Sequence, residues 1–255
     1  MNIKSLVIFL LCIVTAKFAT AQNPSQPTWL SDAVVYQIYP SSFQDTDGNG
    51  IGDLPGILSR LEYIKSIGVT AIWINPIFVS GWKDGGYDVI DFYKIDPRFG
   101  TNSDLVELVN KAHALGLKVI LDLVAGHSSD QNEWFLQSKE ADPHLRYSDY
   151  YIWPSFKPEV KNATNPDGKQ DYAQLMNSFN NIVNKFVKSD APRSPYYVKN
   201  FFDSQPALNF GFANPDPAHP WEQAVDAPGP MSMRREIKNI MQFWMDKGVD
   251  GFRVD

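Results

Sequence analysis

Three stretches of this chain repeat one order: an amphipathic helix, a glycine, then a short apolar strand. In the first, Ile57, Leu58, Leu61, Ile64 and Ile67 recur at helical spacing from about Pro55, Gly68 ends the run, and an apolar segment over 69–75 follows. In the second, Leu105, Leu108, Val109, Ala112 and Leu115 lead to Gly116 and the segment 117–124. In the third, Met233, Ile237, Ile240, Met241 and Trp244 lead to Gly248 and the segment 249–255. Apolar residues three and four apart line one helix face, and a glycine just past the last turn releases the chain from it. With 33–39 as an opening strand, the order is strand–helix–strand, repeated. That alternation predicts an α/β fold with a parallel sheet, open or closed into a barrel.

Glycine spacing locates an insertion. Gly68 and Gly116 are 48 residues apart, whereas Gly116 and Gly248 are 132 apart, an excess of 84. The surplus falls over 128–212, a stretch rich in Pro, Asn, Asp, Tyr and Phe, with no long helical period. The chain therefore divides into a first core part over 22–127, an inserted loop-rich region over 128–212, and a continuation of the core over 213–255. Loops at the carboxyl ends of parallel strands build the active sites of such folds, so the insertion is expected to wall a cleft.

Residues 1–21 have the pattern of a cleavable export signal: Lys4, an apolar stretch over 6–16, and Ala19-Thr20-Ala21 before a cut after Ala21. Eleven residues are about half what a spanning helix needs, so no membrane span is expected after cleavage. The expected localisation is secreted or periplasmic. Cys12, the single cysteine, lies inside the signal. The processed chain would lack disulfides, thiol catalysis and cysteine-held zinc. The net charge of −6 and the absence of any basic run argue against a nucleic-acid partner.

Four constellations carry chemistry. In the segment 45–53, Asp45, Asp47, Asn49 and Asp53 stand at positions 1, 3, 5 and 9, with Gly50 at 6 and the Ile51 carbonyl at 7. Calcium takes six to eight oxygens, and this spacing offers five. The loop departs from an EF-hand, whose twelfth position here is Gly56. The plain alternative is an Asx-rich turn with Asp53 capping the helix that follows. The second constellation runs from Asp122 to Gly126-His127, and the third is Arg253-Val-Asp255. Arg253 and Asp255 are two apart on a strand and share a face. A guanidinium beside a carboxylate favours the ionised, nucleophilic form, although the same pair serves equally as a structural ion pair. The fourth is Gly86-Tyr87-Asp88, an aromatic ring beside a carboxylate, which suits a sugar.

These residues, with Tyr36-Gln-Ile-Tyr-Pro40 and Gln205-Pro-Ala-Leu-Asn209, recur in order in a known family. From residue 30 onward the chain resembles the α-amylase/α-glucosidase family of retaining glycoside hydrolases, and its Gln-Pro-x-Leu-Asn form resembles the oligo-1,6-glucosidase and α-glucosidase branch. The resemblance implies the first half of a (β/α)8 barrel, strands one to four, with the insertion as that family's domain B. It implies an α-linked glucooligosaccharide substrate, Asp255 as nucleophile with Arg253 beside it, and Tyr87, Asp88 and His127 around the −1 sugar. Asp45, Asp47, Asn49, Ile51 and Asp53 would hold a structural Ca2+, with no organic cofactor. Gly126 stands where the family usually has Asn, which implies no second metal there, and Ala207 replaces a frequent Asp. The general-acid Glu would follow on the next strand, so the 255 residues are expected to be an inactive, poorly folded part of a longer protein. A transglycosylating relative, acting on trehalose or sucrose, and a non-catalytic carbohydrate-binding relative are the rival readings. Asn162-Ala-Thr164 would accept a glycan in a eukaryotic host.

Overall fold

The computed structural model describes residues 27–157 and 185–255. The export-signal pattern over 1–21 and the Asn162 sequon lie outside the described residues. The chain divides into two units, Met1–Ala33 and Val34–Asp255. The described part of the first holds one 3-10 turn, Thr28–Leu30.

The second unit runs β1 (Val35–Ile38), α1 (Leu54–Ser66), β2 (Ala71–Ile74), β3 (Phe78–Ser80), β4 (Val89–Ile95), α2 (Asn102–Ala114) and β5 (Lys118–Leu123). It continues with α3 (Glu133–Ser138), β6 (Phe186–Lys188), β7 (Tyr196–Val198), α4 (Pro228–Met245) and β8 (Gly251–Val254). Local chemistry sets the helix ends. Asp53 caps α1 by accepting from the Gly56 N–H, and Thr101 with Asp104 forms a reciprocal capping box on α2. Gly68, Gly116 and Gly248 follow the three long helices at φ of 90°, 69° and 95°, a region that suits glycine best.

Strands β1, β2, β5 and β8 form one parallel sheet in that order. Tyr36 lies beside Ile72, Ile72 beside Val119, and Asp122 beside Arg253. This register gives the sheet two unlike faces. Ile38, Ile72, Ile74, Val119, Leu121 and Leu123 are buried and alternate with Gln37, Trp73, Asp122 and Arg253, which share the other face. Leu54, Ile57, Leu61, Leu105, Leu108, Val109, Met233, Ile240 and Trp244 complete the apolar core from the helices.

The structure corrects the simple alternation in one place. The segment between β2 and α2 holds an antiparallel hairpin, β3–β4, with irregular register. Its strands evade the period-two pattern because β3 is only three residues long and β4 is buried at irregular intervals. The hairpin carries the loop 81–88 on which the site depends. Beyond β5, the described part of the insertion contains α3, the β6–β7 pair and a cluster of stacked rings. Phe135 lies on Trp153 (5.4 Å, 7°), and Trp134 lies on Phe92 of the hairpin (5.2 Å, 13°). No helix among the described residues is long and apolar enough to cross a membrane.

Candidate active site

The polar face of the sheet ends in a connected network. Gln37 donates to Asn75 (2.8 Å), Asn75 to the Tyr87 hydroxyl (3.3 Å), and that hydroxyl to Asp122 Oδ2 (3.2 Å). Trp73 Nε1 also donates to Asp122 Oδ2 (3.2 Å), and Arg253 donates to Asp122 Oδ1 (3.2 Å) and to Asp255. Arg253 lies 5.2 Å over the Trp73 ring as well. Its guanidinium thus joins the ends of β2, β5 and β8. Burial opposes the charge on Arg253, but bonds to Asp122 and Asp255 outweigh it and hold the group protonated above its ordinary value. Burial raises the Asp122 carboxyl above the usual carboxylate range despite these donors. Burial and the Asp122 charge push the Tyr87 phenol up to about 12, so it stays a neutral donor.

A cavity of about 350 Å³ opens beside this network, lined by Asp84, Tyr87, His127, Phe201, Phe202 and Asp255. Tyr87, His127 and Asp255 come together there, with Arg253 bonded to Asp255 at its edge. Asp88 does not join them. It is fully buried and faces its own loop, accepting from Ser80 Oγ (2.8 Å) and the N–H groups of Lys83 (3.2 Å) and Asp84 (3.3 Å). The carboxylate at the cavity is Asp84, oriented by Gln205 Nε2 (2.8 Å) from the insertion. The two acids lie in one short loop, so only the loop's folded path decides which faces outward. Phe201 and Phe202, which no sequence motif marks, also line the cavity, and both are largely exposed. His127 is buried, with Nε2 3.1 Å from the Tyr87 carbonyl oxygen and Nδ1 3.2 Å from Asn200 Nδ2. Burial lowers its pKa. A larger cavity, about 510 Å³ between β4, α3 and α4, holds none of these residues. Its buried acid, Glu236, is already bonded to Tyr93, Arg146 and Tyr150.

A second cluster lies in the loop before α1. Carboxylate oxygens of Asp45, Asp47 and Asp53 come within 4.8 Å of one another. The N–H groups of Gly48 and Gly50 converge on Asp45 at 2.8 Å each, which holds its carboxyl below the usual range and therefore ionised. Asn49 is folded within the loop, accepting from Ile51 N–H (2.8 Å) and donating to Asp47 (2.9 Å). Asp53 performs the capping role of the plain alternative while its carboxylate also accepts from Thr46. Three acidic side chains converging with no cationic partner among the described residues suit a hard divalent cation.

Fold and site together define a β/α-barrel type of chain with a carboxylate centre at the carboxyl ends of its strands. The family of the alpha-amylase catalytic domain matches residues 37–255, and the chain belongs to it. It is 41% identical over 231 residues to an oligo-1,6-glucosidase of Heyndrickxia coagulans, covering 89% of this chain and 35% of that protein. It is 41% identical over 241 residues to Maltase A2 of Drosophila melanogaster, covering 92% and 37%. Among solved structures, a trehalose-6-phosphate hydrolase of Bacillus licheniformis superposes with a TM-score of 0.68 at 35% identity, over 89% of this chain and 35% of that one. An isomaltulose synthase of Protaminobacter rubrum gives 0.68 at 34%, over 90% and 35%. The chain spans little more than a third of the length of the curated relatives it matches. Its four-stranded sheet is the first half of the family's barrel.

Proposed function

We propose that the protein containing this chain is a retaining α-glucosidase that opens α-linked glucooligosaccharides. The observation that carries the reading is the convergence of Asp255, Arg253, Tyr87, His127 and Asp84 on one cavity at the ends of β5 and β8. In this reading Asp255 attacks the anomeric carbon, Arg253 holds it in place, and Asp84 and His127 meet the sugar hydroxyls. Phe201 and Phe202 supply ring faces. Retention needs a second carboxyl group about 5–5.5 Å from the nucleophile to protonate the leaving oxygen and then activate water. The test is glucose release from maltose and isomaltose by the intact protein. Transfer of the glucosyl unit to a second sugar would favour a transglycosylase, and binding without turnover would overturn the enzymatic reading.

We propose further that Asp45, Asp47, Asn49, the Ile51 carbonyl and Asp53 hold a structural Ca2+. The converging acids support this, and the ion would secure the start of α1. Calcium at about one hundred times its dissociation constant is expected to stabilise the intact protein by about 2.7 kcal/mol. Thermal unfolding with calcium and with a chelator measures it, and the shift should vanish in Asp45→Ala. A midpoint indifferent to calcium would remove the ion from the account.

The pattern over 1–21 supports export, with the enzyme acting outside the cytoplasm. N-terminal sequencing of the mature protein checks this, with Gln22 as the expected first residue.

A further inference from the structure

Gly126 precedes His127, and its backbone does not adopt the left-handed angles that favour glycine. A side chain here would instead meet the end of Asn200 and displace it. A Cβ at position 126 would lie 2.6 Å from Asn200 Nδ2, closer than such atoms approach in folded proteins. That same amide nitrogen is 3.2 Å from His127 Nδ1, while His127 Nε2 is 3.1 Å from the Tyr87 carbonyl oxygen.

The chemistry of the two partners selects one form of the ring. A carbonyl oxygen only accepts, so Nε2 must carry hydrogen. A side-chain amide nitrogen only donates, so Nδ1 must be bare. The neutral Nε2–H tautomer satisfies both, whereas an imidazolium would turn an N–H toward an N–H. We propose that Asn200 is a positioning residue that holds His127 as the neutral Nε2–H tautomer, and that residue 126 is glycine because the Asn200 amide fills the space a side chain would take.

The groups that act on the ring, by contact or by charge, come from three segments. The hairpin loop presents Asp84, Asp88 and Tyr87, β8 presents Asp255, and the insertion presents Asn200 and Phe201, whose ring meets the imidazole edge-on at 5.6 Å. The three carboxylates favour a charged ring, but burial works against charge and is the larger effect. A neutral ring leaves Arg253 as the cation beside Asp255; a charged one would compete for that carboxylate. This consequence rests on the proposed sugar site, while the tautomer itself does not.

Asn200→Asp keeps the shape but puts an acceptor against Nδ1, which should protonate it and raise the His127 pKa by at least one unit. The enzyme's activity should then fall about tenfold at neutral pH and recover at alkaline pH. The measurement is nitrogen NMR of the intact protein labelled in histidine, with the His127 signal identified by its loss in His127→Gln. A bare Nδ1 and a protonated Nε2 are expected at neutral pH, with Nδ1 protonated in Asn200→Asp. A proton on Nδ1 in the unaltered protein, or an unmoved titration in Asn200→Asp, would overturn the inference. Should Asn200→Asp not fold, Gly126→Ala displaces the same amide. Its effect on the His127 signals should disappear in an Asn200→Ala background, where the obstacle is gone; an equal effect in both backgrounds overturns the inference. The expected nitrogen pattern in a protein without glucosidase activity would sink the sugar-site reading and leave this one standing.

Discussion

Asp255→Asn is expected to lower kcat/KM of the intact protein on an aryl α-glucoside by about 10⁴-fold or more, equivalent to about 5.4 kcal/mol of lost transition-state stabilisation. An amide of the same shape cannot form the glycosyl ester that retention requires. The variant should fold normally. Asp255 lies at the mouth of the cavity, its backbone N–H bonds to Leu123 O at 3.0 Å, and Arg253 keeps Asp122 as a partner when one acceptor is lost. The loss should therefore appear in kcat with little change in the unfolding midpoint. Activity within tenfold of the unaltered protein would mean that another group attacks the sugar.

Trp244→Ala should produce the largest loss of stability, about 3–5 kcal/mol. Trp244 is fully buried on α4, and its ring stacks on Phe78 of the hairpin at 5.2 Å and 19°. It also meets Phe243 edge-on at 4.9 Å and donates through Nε1 to the Phe92 carbonyl at 2.9 Å. Truncation removes the packed area, opens a cavity and orphans that carbonyl. Trp244→Phe keeps most of the packing and loses the donor, so it should cost less, about 1–3 kcal/mol. Denaturant midpoints of the three proteins measure the difference. The site should suffer as well, because this indole ties α4, which feeds Arg253 and Asp255, to the hairpin that holds Asp84 and Tyr87. A loss below about 1 kcal/mol for Trp244→Ala would show that the hairpin is anchored elsewhere.

The parts of the structure legible in the sequence are those governed by neighbours along the chain. Helical spacing and the terminal glycines predict α1, α2 and α4, and the strands after them differ from the prediction only at their ends. The two-residue step from Arg253 to Asp255 puts both side chains on one face, and they do pair. The 45–53 loop was readable for the same reason, since its acids converge through turns a few residues long. Asp122 sat in a recognised motif, but nothing local marks it as the acceptor shared by Trp73, Tyr87 and Arg253.

Asp84 and Asp88 mark the boundary of what local pattern can decide. Both are acids in one loop beside an aromatic ring, and the sequence favoured the wrong one for the cavity. The backbone N–H groups of Lys83 and Asp84 capture Asp88, while Gln205, 121 residues away in sequence, turns Asp84 toward the cavity. Asn200 and His127 are separated by 73 residues, and the fit of the Asn200 amide over Gly126 exists only once the insertion has folded back. Periodicity, capping and turn chemistry act over a few residues, so the sequence alone was enough for the β/α rhythm, the acidic loop and the Arg253–Asp255 pair. Which acid faces the cavity, which nitrogen of His127 carries hydrogen, and how the hairpin is held were settled by the tertiary fold, because burial and long-range hydrogen bonds exist only after the segments meet.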